Sequence, residues 1–155
     1  MKQLFLAFLA LAIIGLSCKK ETQDCGTVNT TAPASEVEAL RQYLDTNNIT
    51  ATEDPRGFFY VIQNAGSGNK PTICNAVQVG YTGKLTNGTV FDSSTSAGFY
   101  LSGLIPGWQE GIPLIAAGGS ITLYIPPSLG YGGSAVGSIP ANSILIFDIN
   151  LQAVY

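Results

Sequence analysis

Tyr81 and Asp92 are the residues whose types and spacing most directly suggest chemistry in this sequence. They flank an Asn87-Gly88 pair, which favours a tight hairpin turn because both residues tolerate positive φ. Apolar and polar residues alternate over residues 77–85, which predicts a strand with one buried face before the turn. We therefore expect the hairpin to bring a tyrosine, an aspartate and Phe91 onto neighbouring strands.

The absence of histidine limits what these side chains could do. A Ser-His-Asp triad, a Cys-His pair and a His-ligated zinc site are all excluded. Three cysteines cannot form a four-thiolate site, and no nucleotide-binding glycine motif is present. The sequence thus predicts chemistry that needs no strong base, no metal and no cofactor.

The length and charge of the chain limit the classes of protein to which it can belong. At 155 residues it suits one domain with a leader and a tether. Charged residues make up 11% of the sequence, against about 25% in typical soluble proteins. With a formal net charge of −3 and no cluster of basic residues, the sequence predicts no nucleic-acid partner.

Residues 1–17 have the features of an export signal. A positive start is followed by a mostly apolar run over residues 4–16. That run would span about 20 Å as a helix, which is too short for a bilayer core of about 30 Å. Ser17 and Cys18 then resemble the end of a bacterial lipoprotein signal, in which the cysteine is acylated and becomes the new N-terminus. Such signals usually carry leucine at the position of Gly15, so a plain secretory signal is the alternative.

The lipoprotein interpretation divides the start of the chain into a signal peptide at 1–17 and a lipidated tether at 18–33. The tether is polar and rich in threonine, and we expect it to be flexible. Cys25 and Cys74 would be the remaining thiols in an oxidising compartment. A disulfide between them would attach the tether to the domain, and their spacing leaves open whether they are bonded.

The pattern of residues 34–50 predicts an N-terminal amphipathic helix. Ser35 is placed to cap it, Leu40 and Leu44 recur at helical spacing, and Asn47-Asn48 would end it. We expect this helix to pack on the domain.

The domain itself is expected over residues 51–155. Pro106 and Gly111 mark the ends of a short helix, and Pro113 should prevent its continuation. The other expected elements are strands over 58–62, 77–85, 99–101, 121–125 and 145–151, with a Ser/Thr-rich loop over 93–98. The fold class that follows is α+β, with an antiparallel sheet wrapped around one short central helix.

Four sequence segments carry a resemblance to a known family. They are V-x-V-x-Y-x-G-x-L-x-N-G-x-x-F-D-S-S, L-I-P-G-W-x-E-G, I-P-P-S-L-G-Y-G and I-P-A-N-x-x-L-x-F-D-I-x-L, in that order. Together they resemble the FK506-binding (FKBP-type) peptidyl-prolyl cis-trans isomerases over roughly residues 58–155. The leader and the preceding helix resemble those of bacterial, lipoprotein-anchored members.

The resemblance implies a pocket for a proline ring. The substrate would be bound by three sets of residues. Trp108 would form the floor of the pocket, Phe91, Phe99 and Phe147 its walls, and Leu104, Ile105 and Ile139 its rim. Ile105 would offer its backbone N–H. Tyr81, Asp92 and Tyr131 are the implied catalytic residues, with a hydroxyl from Tyr131 and a carboxylate from Asp92 near the twisting bond.

The sequence departs from the family pattern around the pocket. Ala97 stands where a pocket aromatic is common, and residues 93–98 lack the usual basic side chain. The loop after Tyr131 is short and has no aromatic or histidine near Ala135-Val136. These changes lie at the rim, so they bear on substrate preference and on FK506 affinity.

The resemblance implies an isomerase that acts on X-Pro bonds of unfolded exported polypeptides and that FK506-type macrolides could bind. It would be held through Cys18 to a membrane of the bacterial cell envelope, facing the periplasm. Two alternatives stay open. One is a non-catalytic peptide-binding or chaperone module on the same fold, and the other is an adhesive surface β-domain.

Overall fold

The described part of the chain begins after the predicted signal peptide. The structure is a computed structural model that describes residues 25–26 and 28–155. The signal peptide at 1–17, the anchor Cys18 and part of the tether at 18–33 lie outside the described residues. None of the helices in the described part has the length and apolar character needed to cross a bilayer.

The described residues form one antiparallel sheet and two α-helices. The helices are α1 (Ala34–Thr46) and α2 (Pro106–Gly111), and the strands are β1 (Thr52–Glu53), β2 (Phe59–Asn64), β3 (Ala76–Leu85), β4 (Val90–Tyr100), β5 (Ser120–Ile125) and β6 (Leu145–Val154). The strand order is β1-β2-β5-β6-β3-β4, and every neighbouring pair is antiparallel. The predicted α+β class is confirmed.

Helix α2 lies directly on the inner face of the sheet because glycines face β5. A Cβ atom on Gly107 would lie 2.7 Å from the side chain of Ile125, and one on Gly111 would lie 2.5 Å from that of Leu123. Pro106 begins the helix, as the sequence predicted. Pro113 ends only the α-helical geometry, since the chain continues as a 3₁₀ turn.

We expect Gly111→Ala to lower the free energy of unfolding by about 1–3 kcal/mol, because the added methyl group overpacks the contact with Leu123. Urea unfolding followed by circular dichroism would measure it. Gly103→Ala is the matched control, because a Cβ atom there meets no atom within 4 Å. Equal midpoints for the two variants would contradict this account of how α2 packs.

Helix α1 covers the outer face of the sheet. Leu40 and Leu44 are buried against a cluster that includes Phe59 and Tyr124. The expectation that Ser35 caps the helix is wrong: Pro33, two residues earlier, occupies the cap position, and no side chain caps the helix. The helix ends at Thr46, directly before the predicted Asn47-Asn48 stop and four residues short of the 34–50 segment.

The hairpin between β3 and β4 differs from the expected turn. Gly88 has φ +85°, but Asn87 is not among the residues with positive φ. The Gly88 N–H donates to the Leu85 carbonyl, and the Leu85 N–H donates to the Thr89 carbonyl, both at 2.9 Å. The turn therefore needs one left-handed residue, and the expectation of two was wrong.

The loop expected over residues 93–98 is also wrong, because these residues belong to β4. The strand bulges where the pairing shifts between Val79 and Tyr81. Gly80 leaves room for the bulge, since a Cβ atom there would lie 2.9 Å from the Thr95 carbonyl oxygen. Gln152 donates its side-chain N–H to that same oxygen at 2.8 Å and fixes the bulge.

The tether meets the domain at two points. A disulfide joins Cys25 to Cys74, with their Cα atoms 5.3 Å apart, just before β3 begins. Further along, the Ala32 N–H donates to the Arg56 carbonyl at 2.8 Å. The segment before α1 is thereby attached at the Cys74 end of the sheet and at the Arg56 loop.

Candidate functional site

A cavity of about 310 Å³ opens between the sheet, the loop before α2 and the loop after Tyr131. Its lining residues are Tyr81, Phe91, Asp92, Phe99, Leu104, Ile105, Trp108, Tyr131, Val136, Gly137, Ser138, Ile139 and Phe147. The structure thus brings together all ten residues that the sequence suggested for substrate binding and catalysis. Their individual roles stay predictions.

Trp108 lies at the centre of the aromatic part of the cavity. Its ring is nearly perpendicular to those of Tyr81, Phe99 and Phe147, with centroid distances of 5.2, 5.9 and 5.1 Å. Edge-to-face contacts of this kind are favourable because the positive edge of one ring meets the negative face of another. The indole is 4% exposed, so its plane is fixed before any ligand arrives.

A glycine on β3 makes room for two wall residues. A Cβ atom on Gly83 would lie 2.6 Å from the ring of Phe91 and 2.8 Å from that of Phe147. Those two rings meet edge to face at 5.5 Å. The Tyr-x-Gly spacing of β3 therefore fixes the position of Tyr81 and leaves space beside Gly83 for the two phenylalanine rings.

The polar pair of the cavity is Tyr81 and Asp92. The tyrosine hydroxyl donates to Oδ2 of Asp92 at 2.6 Å. Burial and this hydrogen bond raise the pKa of Tyr81 to about 12. Within the described residues, no lysine or arginine forms an ion pair with Asp92. The carboxylate is exposed and therefore presents its charge to the mouth of the cavity.

The raised pKa of Tyr81 predicts a pH effect on stability. Below pH 10.0 the tyrosine is protonated in both the folded and unfolded states; between pH 10.0 and about 12 only the folded state keeps the proton. The stabilisation from this group should therefore be lost as pH rises through that range, and Tyr81→Phe should lose less stability over it than the wild type. Urea unfolding across this pH range would measure the difference. Tyr100→Phe is the control, and an identical pH dependence in both variants would contradict the prediction.

The loop before α2 is held by Gln109, which the sequence analysis missed. Its side-chain N–H donates to the Leu104 carbonyl at 2.6 Å, and the Trp108 N–H donates to the Ile105 carbonyl at 2.9 Å. No group in the described part of the chain accepts a hydrogen bond from the Ile105 N–H. That N–H is therefore available at the cavity wall, with its loop fixed on both sides.

A tight turn forms the outer rim. Val136 and Ile139 exchange two backbone hydrogen bonds of 2.9 Å, and Gly137 between them has φ +57°. Val136 is 42% exposed and lines the cavity. The sequence predicted a loop without an aromatic residue, but the apolar contact of Val136 was not predicted, although the Val-Gly-Ser-Ile segment contains it.

Among residues 25–26 and 28–155, no three His, Cys, Asp or Glu side chains are grouped as metal ligands. The cavity offers ring faces, a free N–H, three hydroxyls and one carboxylate. In size and chemistry these groups suit an apolar ring with an amide beside it. A sheet wrapped around a short helix, with such a cavity between them, is the arrangement that the resemblance to FK506-binding proteins implied.

Comparison with known proteins places the chain in such a family. Residues 68–152 match the model for FKBP-type peptidyl-prolyl cis-trans isomerase domains, and the chain belongs to this family. The resemblance of the four sequence segments is thereby confirmed.

Individual relatives agree with this assignment. The chain is 41% identical over 121 residues to the FKBP-type isomerase FkpA of Aeromonas hydrophila, covering 73% of this chain and 44% of that protein. It is 45% identical over 105 residues to the outer membrane protein MIP of Legionella longbeachae, covering 64% and 45%. The crystal structure of FkpA from Escherichia coli superposes with a TM-score of 0.71 at 37% identity, covering 78% and 60%. The chain spans about half the length of the curated relatives it matches.

Proposed function

We propose that this protein is a peptidyl-prolyl cis-trans isomerase acting on X-Pro bonds of unfolded or partly folded polypeptides. The observation that carries the proposal is the apolar aromatic cavity over Trp108, with the Tyr81–Asp92 pair at its side. Membership of the FKBP-type family supports it.

Such a cavity suits this reaction because no covalent bond has to break. Rotation about a peptide bond costs about 18–20 kcal/mol, since the planar form is stabilised by resonance. The planar amide is charge-separated and the twisted state is less polar, so transfer from water to an apolar cavity raises the ground state relative to the transition state. Lowering the barrier by about 5 kcal/mol accelerates rotation by between 10³ and 10⁴.

Each polar group has a part in this scheme. The proline ring lies on Trp108, and the Ile105 N–H donates to a substrate carbonyl and positions the chain. The Tyr131 hydroxyl donates to a second carbonyl. Asp92 places a negative charge near the imide, where it opposes the partial negative charge on the planar carbonyl oxygen and so disfavours the planar state.

The proposal includes a place in the cell envelope. The protein would be anchored through acylated Cys18 and would face the periplasm. The leader at 1–17 supports export, and MIP, a relative, is named an outer membrane protein. The Cys25–Cys74 disulfide supports an oxidising compartment. FK506-type macrolides are proposed ligands of the same cavity.

The test is the refolding of a protein whose slow phase is set by an X-Pro bond. Substoichiometric full-length protein in detergent should accelerate that phase, and FK506 should abolish the acceleration. Unchanged refolding together with measurable binding of the unfolded chain would refute the isomerase.

A non-catalytic peptide-binding module is the second candidate. The observation that favours it is the apolar rim, where Tyr131 and Val136 are 39% and 42% exposed. Such a module would suppress aggregation of unfolded chains without changing the rate of X-Pro isomerisation, so the two measurements separate the candidates. An adhesive β-domain would not account for the cavity.

A further inference from the structure

Two tyrosines stand exposed at one end of the sheet, far from the Lys84 end of β3. Tyr100 and Tyr155 are 73% and 70% exposed, the highest values among the large apolar side chains of the described residues. Tyr100 pairs with Ala76 on one side, and the Tyr155 N–H donates to the Ala76 carbonyl at 2.8 Å on the other. Directly opposed residues on neighbouring strands share a face, so both rings lie on the outer face, and their backbone positions are two strand spacings, about 10 Å, apart.

The side chains that contact Tyr155 and its neighbour on β3 are polar and uncharged. The Tyr155 hydroxyl donates to Oε1 of Gln78 at 3.1 Å, and the side-chain N–H of Gln78 donates to the Ser96 hydroxyl at 2.6 Å. The outer-face Lys84–Asp148 ion pair lies eight residues along β3 from Ala76, about 26 Å away. We call the patch formed by Ala76, Gln78, Tyr100 and Tyr155 the tyrosine surface.

The disulfide brings the start of the chain to this surface. Cys74 lies two residues before Ala76, so its bond to Cys25 attaches the tether beside the two tyrosines. Cys18 is seven residues before Cys25, which limits its distance from the domain to about 24 Å. Without the disulfide, attachment would move towards Ala32, fourteen residues from Cys18, with a reach of about 48 Å.

We infer that the tyrosine surface rests in the headgroup layer of the membrane that holds the acylated Cys18. The inference depends on the lipid anchor proposed above. The short oxidised tether places this end of the domain nearest the lipid. Tyrosine suits the membrane–water interface because its ring is apolar and its hydroxyl remains hydrated.

The side chains of the tyrosine surface itself carry no charge that would oppose contact with a lipid surface. From residue 55 to the end of the sequence the only carboxylate side chains are Asp92, Glu110 and Asp148. Asp148 belongs to the ion pair with Lys84, at the other end of the sheet, and Glu110 pairs with Arg56. None of the four residues that form the tyrosine surface has an acidic side chain.

The test uses the full-length acylated protein in vesicles of phosphatidylethanolamine and phosphatidylglycerol that contain a lipid brominated near the headgroup. Tyr100→Trp and Tyr155→Trp should each show strong quenching of tryptophan fluorescence beyond that of the wild type. Trp108 contributes only a constant background because it is 4% exposed. Val90→Trp is the matched control, since Val90 is 53% exposed at the far end of the same strand.

A second arm tests the disulfide. The double variant Cys25→Ser, Cys74→Ser in the Tyr100→Trp background should lose most of the added quenching, because its tether is longer. Three results would overturn the inference. They are equal quenching at positions 90 and 100, no added quenching at positions 100 and 155, and unchanged quenching in the double cysteine variant.

Two further measurements on the same sample separate this inference from the proposed function. The mass of the N-terminal peptide reports acylation of Cys18, and a chain without acyl groups would overturn the inference. Isomerisation of a short Leu-Pro peptide reports the activity. If the quenching is as expected but the isomerisation is not accelerated, the result contradicts the isomerase proposal alone. The contact of the tyrosine surface with the membrane is then still supported.

Discussion

Phe91→Ala should lower kcat/KM for a Phe-Pro peptide by about 30-fold. Phe91 lines the cavity and meets Phe147 edge to face at 5.5 Å. Removing its ring takes away apolar contact worth about 2 kcal/mol, a contact that favours the less polar twisted imide over the planar one. The measurement is catalysed isomerisation of the peptide, followed at substrate concentrations below KM.

The control for this prediction is the preceding residue. Val90 is 53% exposed and does not line the cavity, so Val90→Ala should keep activity within about twofold of the wild type. Phe91 is only partly buried, and we expect the alanine variant to stay folded, which circular dichroism would check. Unchanged turnover in folded Phe91→Ala protein would refute the assignment of the cavity as the site.

Asp92→Ala should lower kcat/KM by about tenfold. The carboxylate accepts the hydrogen bond from Tyr81 at 2.6 Å and is the one charged group of the cavity lining. A hydrogen bond to a charged group is worth about 1.5–3 kcal/mol, and its loss also frees the Tyr81 ring. Asp92→Asn should lose less activity than the alanine variant if the main role of Asp92 is to position Tyr81, because the amide oxygen can still accept the hydrogen bond from Tyr81.

Asp148→Ala provides the comparison for Asp92. It removes a carboxylate that pairs with Lys84 and Thr122 on the outer face of the sheet. This variant should keep its activity while losing some stability, because the outer-face network lies away from the cavity. Equal losses of kcat/KM in the Asp92 and Asp148 variants would show that net charge, rather than the cavity carboxylate, governs the rate.

The elements with clear sequence periodicity were predictable. Alternating residues gave β3, β5 and β6, and the proline and glycine at the ends of α2 gave its bounds. These signals are local, since burial of one sheet face requires alternation. The hairpin pattern placed Tyr81, Phe91 and Asp92 on neighbouring strands, and the other cavity residues were predictable only from the four family segments.

The rest depended on tertiary contacts that single residues do not display. Residues 93–98 read as a loop because small polar side chains carry no alternation, yet Gly80 and Gln152 hold them in β4. Gln109 supports the Leu104 carbonyl across a loop, and Ser35 does not cap α1 because the cap position is Pro33, two residues earlier. The outcome for β4 is set by contacts with other strands, that for the loop by a side chain five residues away, and that for α1 by the exact start of the helix.

The central claim is best tested by exchange NMR on a short Leu-Pro peptide. Substoichiometric full-length protein should raise the cis–trans exchange rate well above the uncatalysed value, and FK506 should return it to that value. Peptide binding with no increase in exchange rate would contradict the account and identify the cavity as a capture site.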